Sequence, residues 1–406
     1  MTRDIRSITL IIVAAAIAAC TSQPSVETSP GPKRTSAPIS ATDLKTRLYI
    51  YADDSMQGRE TGTIGNYKAT TYIAAELARM GLEPAGENGT YFQNNGATSA
   101  RFAGSANPEY ARNVIAILRG SDPALKGEYV AIGAHNDAIG IRHGATTNSD
   151  SLHAYNMELT RLGAPAWERA SRAKRDSLKS VIHVNVDSLA RIRPPRLDSI
   201  VNGADDDGSG TVTVLEIAEA LASMPQKPKR SILFVWHTGE EKGLLGSKWF
   251  TDHPTVPRDS IVAQLNIDMV GRGGAADITG GGPNYLQLIG ARRISNELGD
   301  IIDRLNAARS QPFTFDMTYD ANGHPERIYC RSDHWNYARY NIPITFFTTG
   351  QEPDYHAVSD EVQYIDYDHM SRVASFIRDI AVTVANLDHR LRIDHPVTDP
   401  NAACVQ

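Results

Sequence analysis

The feature that most constrains the fold of this chain is a recurring junction, in which an apolar, β-rich run ends on His, Asp or Glu. YVAIGAHND leads into His135 and Asp137, ILFVWHTGEE into Glu240 and Glu241, and QLNID into Asp268. Runs this apolar fit strands covered on both faces. The intervening segments supply that cover: Ile73, Leu77 and Met80, for example, share one helical face and precede Gly81, a stop signal. The alternation predicts an α/β fold of three layers, with a central mixed, mostly parallel twisted sheet and helices on both faces. Open sheets of this kind present their loops and ligands beyond the strand ends, which is where these charged residues fall.

Strands are expected at 113–118, 129–134, 232–236, 262–267 and 342–347, and helices at 210–221, 244–253 and 366–387. With 406 residues, about two or three domains are possible. The pattern favours one domain over 41–390, followed by a tail at 391–406. Region 141–200 breaks the rhythm, being long, rich in Arg and Asp, and helical around 165–179. It reads as an insertion beside the site, a lid or a wall. A formal charge of −6, from 41 Lys+Arg against 47 Asp+Glu with no sustained basic run, argues against nucleic-acid binding.

Residues 1–19 have a cationic start and an apolar stretch too short to span a bilayer, the layout of a secretory signal. Ile17-Ala18-Ala19-Cys20 resembles the bacterial lipobox, so Cys20 is expected to carry lipid. Residues 20–40 are rich in Ser, Thr and Pro and read as a flexible tether. The expected placement is thus exported, anchored to the cell envelope and touching the membrane only through that lipid. Cys330 and Cys404 remain, free to pair in an oxidising compartment or to stay as buried thiols.

Each chemical motif is ambiguous alone. His135 fits a hydrogen-bonded strand end, and Asp205, Asp206 and Asp207 suit the start of a helix. Asp205, Asp207, Ser209, Gly210 and Glu216 also nearly match a calcium loop, but no entering helix precedes them. Ser332-Asp333-His334 tempts a serine-protease reading, yet three adjacent residues do not converge as a relay must.

Taken in order, DSMQGRETGTIGN, GAHND, ADDDGSG, GEEKGLLGS, LNIDMVGR, RSDHWNY and YHAVSDEV resemble the di-zinc metallopeptidases of the bacterial leucyl aminopeptidase and aminopeptidase Y family. The resemblance implies two zinc ions per chain: His135 and Asp268 on one, Glu241 and His356 on the other, with Asp206 bridging. It implies a metal-bridging hydroxide with Glu240 as general base, Asp137 orienting His135, and Arg331 and Tyr355 contacting substrate or the oxyanion. The implied activity is that of an exopeptidase, an aminopeptidase acting on peptides as a monomer. Glutaminyl cyclase, which resembles the same fold, and a non-catalytic binding lipoprotein are the competing readings. Many relatives have a much shorter connection where this chain has 141–200.

Overall fold

The computed structural model describes residues 35–94, 107–144, 146–165 and 171–406. The expected signal at 1–19, Cys20 and most of the tether lie outside the described residues. Among the described residues, nine strands form the main sheet: β1 (Glu83–Pro84), β2 (Phe92–Asn94), β3 (Arg112–Leu118), β4 (Tyr129–His135), β5 (Ser231–His237), β6 (Ile261–Ile267), β7 (Tyr285–Ile289), β8 (Thr314–Asp316) and β9 (Ile344–Thr348). They lie in the order β1-β3-β5-β4-β6-β9-β7-β8, with β2 also on β3. The four central strands, β5, β4, β6 and β9, run parallel, while β3 and β7 flank them antiparallel.

Side-chain alternation along the strands explains the three layers. Val114, Ala116, Val130, Ile132, Phe234 and Trp236 pack into one core with helices Ala41–Tyr51, Ile64–Arg79, Gly210–Ala222 and Tyr367–Ala385. Their neighbours Ile115, Ile117, Ala131, Leu233 and Val235 point the other way, toward Phe250 and Tyr337 of helices Leu245–Asp252 and His334–Ala338. The strands expected at 113–118, 129–134, 232–236, 262–267 and 342–347, and the helices at 210–221, 244–253 and 366–387, form within two residues of those boundaries.

The ends of the chain are less independent than composition suggests. Thr35 accepts from Arg47 and Arg79, and Ser40 caps the first helix, so residues 35–40 dock on the domain. The tail is stapled back by a Cys330–Cys404 disulfide, and Leu391 is buried. The insertion enters and leaves through two short antiparallel ribbons, Gly140–Ile141 on Ile200–Val201 and Thr147–Asn148 on Leu197–Asp198. Between them the helix Ser149–Arg161 starts on an Asn148 cap. The helical stretch expected at 165–179 is represented by Arg172–Leu178, and residues 166–170 lie outside the described residues. No helix among the described residues is long and apolar enough to cross a membrane.

Candidate metal centre

Parallel registry brings the strand ends together. His135 closes β4 opposite His237 at the end of β5, and Asn266 near the end of β6 pairs with Gly133. Glu240 and Glu241 follow β5, and Asp268 follows β6, so the carboxylates collect at one edge. The Asp205–Asp207 loop enters from the side, just ahead of the buried helix Gly210–Ala222. Gly210 is required there, because a Cβ would sit 2.2 Å from Asp207 Oδ1 and 2.5 Å from the Ile267 carbonyl. The Asp206–Asp207 peptide is cis.

Asp206 faces two ways. Its Oδ1 lies 3.1 Å from His135 Nε2, and its Oδ2 lies 3.0 Å from His356 Nε2. His135 Nε2 is also 3.7 Å from Asp268 Oδ1, and His356 Nε2 is 3.0 Å from Glu241 Oε2. Potential ligand atoms of Asp206, Glu241 and His356 form one compact group, and those of His135, Asp268 and Asp207 a second. Asp207 is already committed in that second group, since its oxygens accept from the backbone N–H groups of His135, Met269 and Gly210. Asp206 is the better donor to both.

The same hydrogen bonds dispose of the calcium loop. Asp205 Oδ1 accepts from the Gly271 N–H, Asp207 is used as described, and Glu216 pairs with Arg47 on another helix. The run Ser332-Asp333-His334 is equally dispersed: Ser332 Oγ donates to Asp268 Oδ2 at 2.7 Å, whereas Asp333 sits 3.3 Å from His237 Nδ1. Arg272, the cation nearest Asp268 in sequence, turns instead to Asp277, Glu352 and Asp354.

Asp137 is tied to the site in a different way from a simple carboxylate–imidazole pair. The Asp137 backbone carbonyl lies 3.0 Å from His135 Nδ1, and its carboxylate is farther, at 3.6 Å. That carboxylate accepts from Thr61 Oγ1 at 2.6 Å and from the Glu240 N–H at 3.2 Å, linking the β4 loop to the β5 loop. Thr61, Ser332 and Asp360 carry no role in the sequence reading. Asp360 accepts from the Asp205 and Asp206 N–H groups and fixes the aspartate loop. Its one sequence signal is its place in YHAVSDEV, four residues after His356.

Electrostatics shows what the site is suited to hold. Burial pushes Glu240 well above the ordinary carboxylate range, and Glu241 and Asp268 beside it add to that effect against the pull of His135. Glu241 is pushed up to about 7, first by burial and then by Asp206. Burial would lower the imidazoles, yet Asp268, Asp137 and Asp206 hold His135 well up, and Asp206 with Glu241 raises His356 to about 10. Glu241 Oε1 is buried with no hydrogen-bond donor. Packed carboxylates with one orphaned oxygen and two imidazoles suit a divalent cation that accepts N and O ligands.

A cavity opens beside Asp206, Glu240 and Asp268, walled by Met269, Ile278, Ile328 and Phe346. Arg331 and Tyr355 also line it, with Arg331 Nη2 3.4 Å from Tyr355 Oη and the Tyr355 ring stacked on His356 at 3.8 Å. The structure therefore brings all nine residues singled out from sequence to one strand-end edge.

Peptidase family M28 matches residues 113–381, which span every one of these residues. The chain belongs to that family. Among curated relatives, Leucine aminopeptidase 1 of Aspergillus oryzae is 29% identical over 238 residues, covering 55% of this chain and 57% of the relative. The chain spans about half the length of the curated relatives it matches. Two solved structures share the M28 fold: a zinc aminopeptidase from Bacillus subtilis (TM-score 0.52, 15% identity, 85% of this chain and 95% of that one) and Porphyromonas gingivalis glutaminyl cyclase (0.51, 18%, 84% and 97%).

Proposed function

We propose that this M28 chain is a zinc aminopeptidase. His135, Asp206 and Asp268 hold one zinc, and Asp206, Glu241 and His356 hold the other. The observation that carries this reading is the Asp206 carboxylate, which turns one oxygen to each group. Zinc held there supplies Lewis acidity that lets water attack a peptide carbonyl near neutral pH.

Glu240 lines the cavity but belongs to neither ligand group, which leaves its carboxylate free to take the proton of the attacking water and pass it to the leaving amine nitrogen. Tyr355 Oη and the Arg331 guanidinium offer donors where the carbonyl oxygen gains charge. Ser332 and Asp137 hold Asp268 and His135 in place. The apolar wall favours peptides with an apolar N-terminal side chain, in keeping with the relatives named leucine aminopeptidase. Residues 1–20 support export and anchoring through Cys20, with the enzyme acting as a monomer on peptides outside the cytoplasm.

Glu240→Gln tests the reading. Release from a leucyl-anilide should fall about 10²–10⁴-fold, with two zinc ions per chain retained by elemental analysis. Loss of metal in that variant would make Glu240 a ligand and overturn its assignment as the base. One zinc per wild-type chain without anilide release would move the protein toward the cyclase chemistry of its Porphyromonas neighbour.

A further inference from the structure

We propose that the 141–200 insertion is a brace for the loop that carries His356, so that zinc affinity at the Glu241–His356 position depends on it. This rests on the reading of His356 as a ligand. His356 has a φ of 59°, a left-handed conformation that residues with a Cβ rarely adopt and that persists only where the surroundings over-determine it. Five of the side chains that hold the surrounding loop come from the insertion.

Arg142 Nη2 donates to the His356 carbonyl itself. Two residues earlier, Asp354 is fully buried: its Oδ1 accepts from Ser359 Oγ at 2.6 Å and from Asn156 Nδ2 at 3.2 Å, and its Oδ2 faces His153 Nδ1 at 2.5 Å. Two residues later, the Val358 carbonyl accepts from Ser149 Oγ at 3.1 Å. The His153 ring also stacks on Tyr364 at 3.6 Å, and Arg196 pairs with Glu361. These contacts bracket His356 on both sides. None of the described insertion residues lines the cavity beside Glu240, so the insertion props the ligand loop and does not wall the substrate.

The other zinc position has a different support. His135 and Asp268 sit at the ends of central strands and draw on Asp137 and Ser332, none of them in the insertion. Loosening the brace should therefore weaken one zinc and spare the other.

The test uses the full chain with zinc titrated against a competing chelator, in Arg142→Ala, whose side chain is exposed, and in a His153→Ala/Asn156→Ala double variant. One of the two zinc ions should bind about 10–100-fold more weakly in each. Excess zinc should restore kcat, KM should stay at the wild-type value, and Arg142→Lys should recover part of the affinity. The Co²⁺-loaded protein should lose the visible absorption of one site only. Wild-type affinity for both ions in both variants overturns the brace. A raised KM with unchanged zinc affinity overturns it too, and makes the insertion a substrate wall. A His356→Ala control with undiminished zinc binding would instead remove His356 from the metal, a separate failure belonging to the functional reading.

Discussion

Arg47 offers a quantitative test of how the face of the sheet opposite Phe250 is held. It is fully buried and reaches Glu216 at 3.1 Å, Glu76 at 2.8 Å and Glu219, joining three helices. Burial pushes the Glu216 carboxyl up to about 7 even though the Arg47 charge pulls it down. In Arg47→Met the side-chain volume is kept and that pull is lost, so the Glu216 carboxyl rises further. The sign follows from linkage: an acid whose folded pKa lies above its unfolded value loses stability as pH rises between the two. Below about pH 7 Glu216 is protonated in both folded proteins, and the variant loses the Arg47 hydrogen bonds and its ion pairs with Glu76 and Glu219, a loss that does not depend on Glu216. Above pH 7 the wild type ionises beside a cation and the variant cannot, so the gap widens by up to about 1.4 kcal/mol per pH unit. By pH 9 the total loss should reach about 3–5 kcal/mol, the cost of breaking a buried ion pair. Urea unfolding of both proteins at pH 6 and pH 9 measures it. A loss under about 1 kcal/mol at pH 9, or one equal at the two pH values, refutes the reasoning.

Two further outcomes are expected. The Cys330–Cys404 bond closes a loop of 74 residues, so the Cys330→Ser/Cys404→Ser variant should lose up to about 4 kcal/mol in urea melts, and equal stability would deny the bond any role. Without a cation His356 holds its proton up to about 10, and a metal needs the neutral ring. Zinc uptake at pH 8 should release at least one proton, and affinity should rise with pH up to about tenfold per unit; calorimetry in buffers of different ionisation enthalpy that shows no release contradicts this.

The central strands were legible because each is buried on both faces and so reads as an unbroken apolar run. The edges were not: β1 is two residues and β8 three, too short for any period to register. Helix Ser149–Arg161 was missed because Ser, Asp, His and Asn interrupt its apolar stripe, and these polar residues are the ones that grip the His356 loop. In the site, residue types and order were visible, but the contact between His135 and Asp206, 71 positions apart, depends on a loop that enters from beside the sheet and is fixed by Asp360. Asp360 was hidden for another reason, since its partners are backbone N–H groups that every sequence contains.

A carboxylate with one oxygen toward each of two neighbouring groups is a point that the two groups share. A change at His356 or at Asp268 is felt first by its own group, whereas a change at Asp206 reaches both at once. The Asp360 carboxylate, which accepts from the Asp206 N–H, therefore stands behind both groups although it touches neither imidazole.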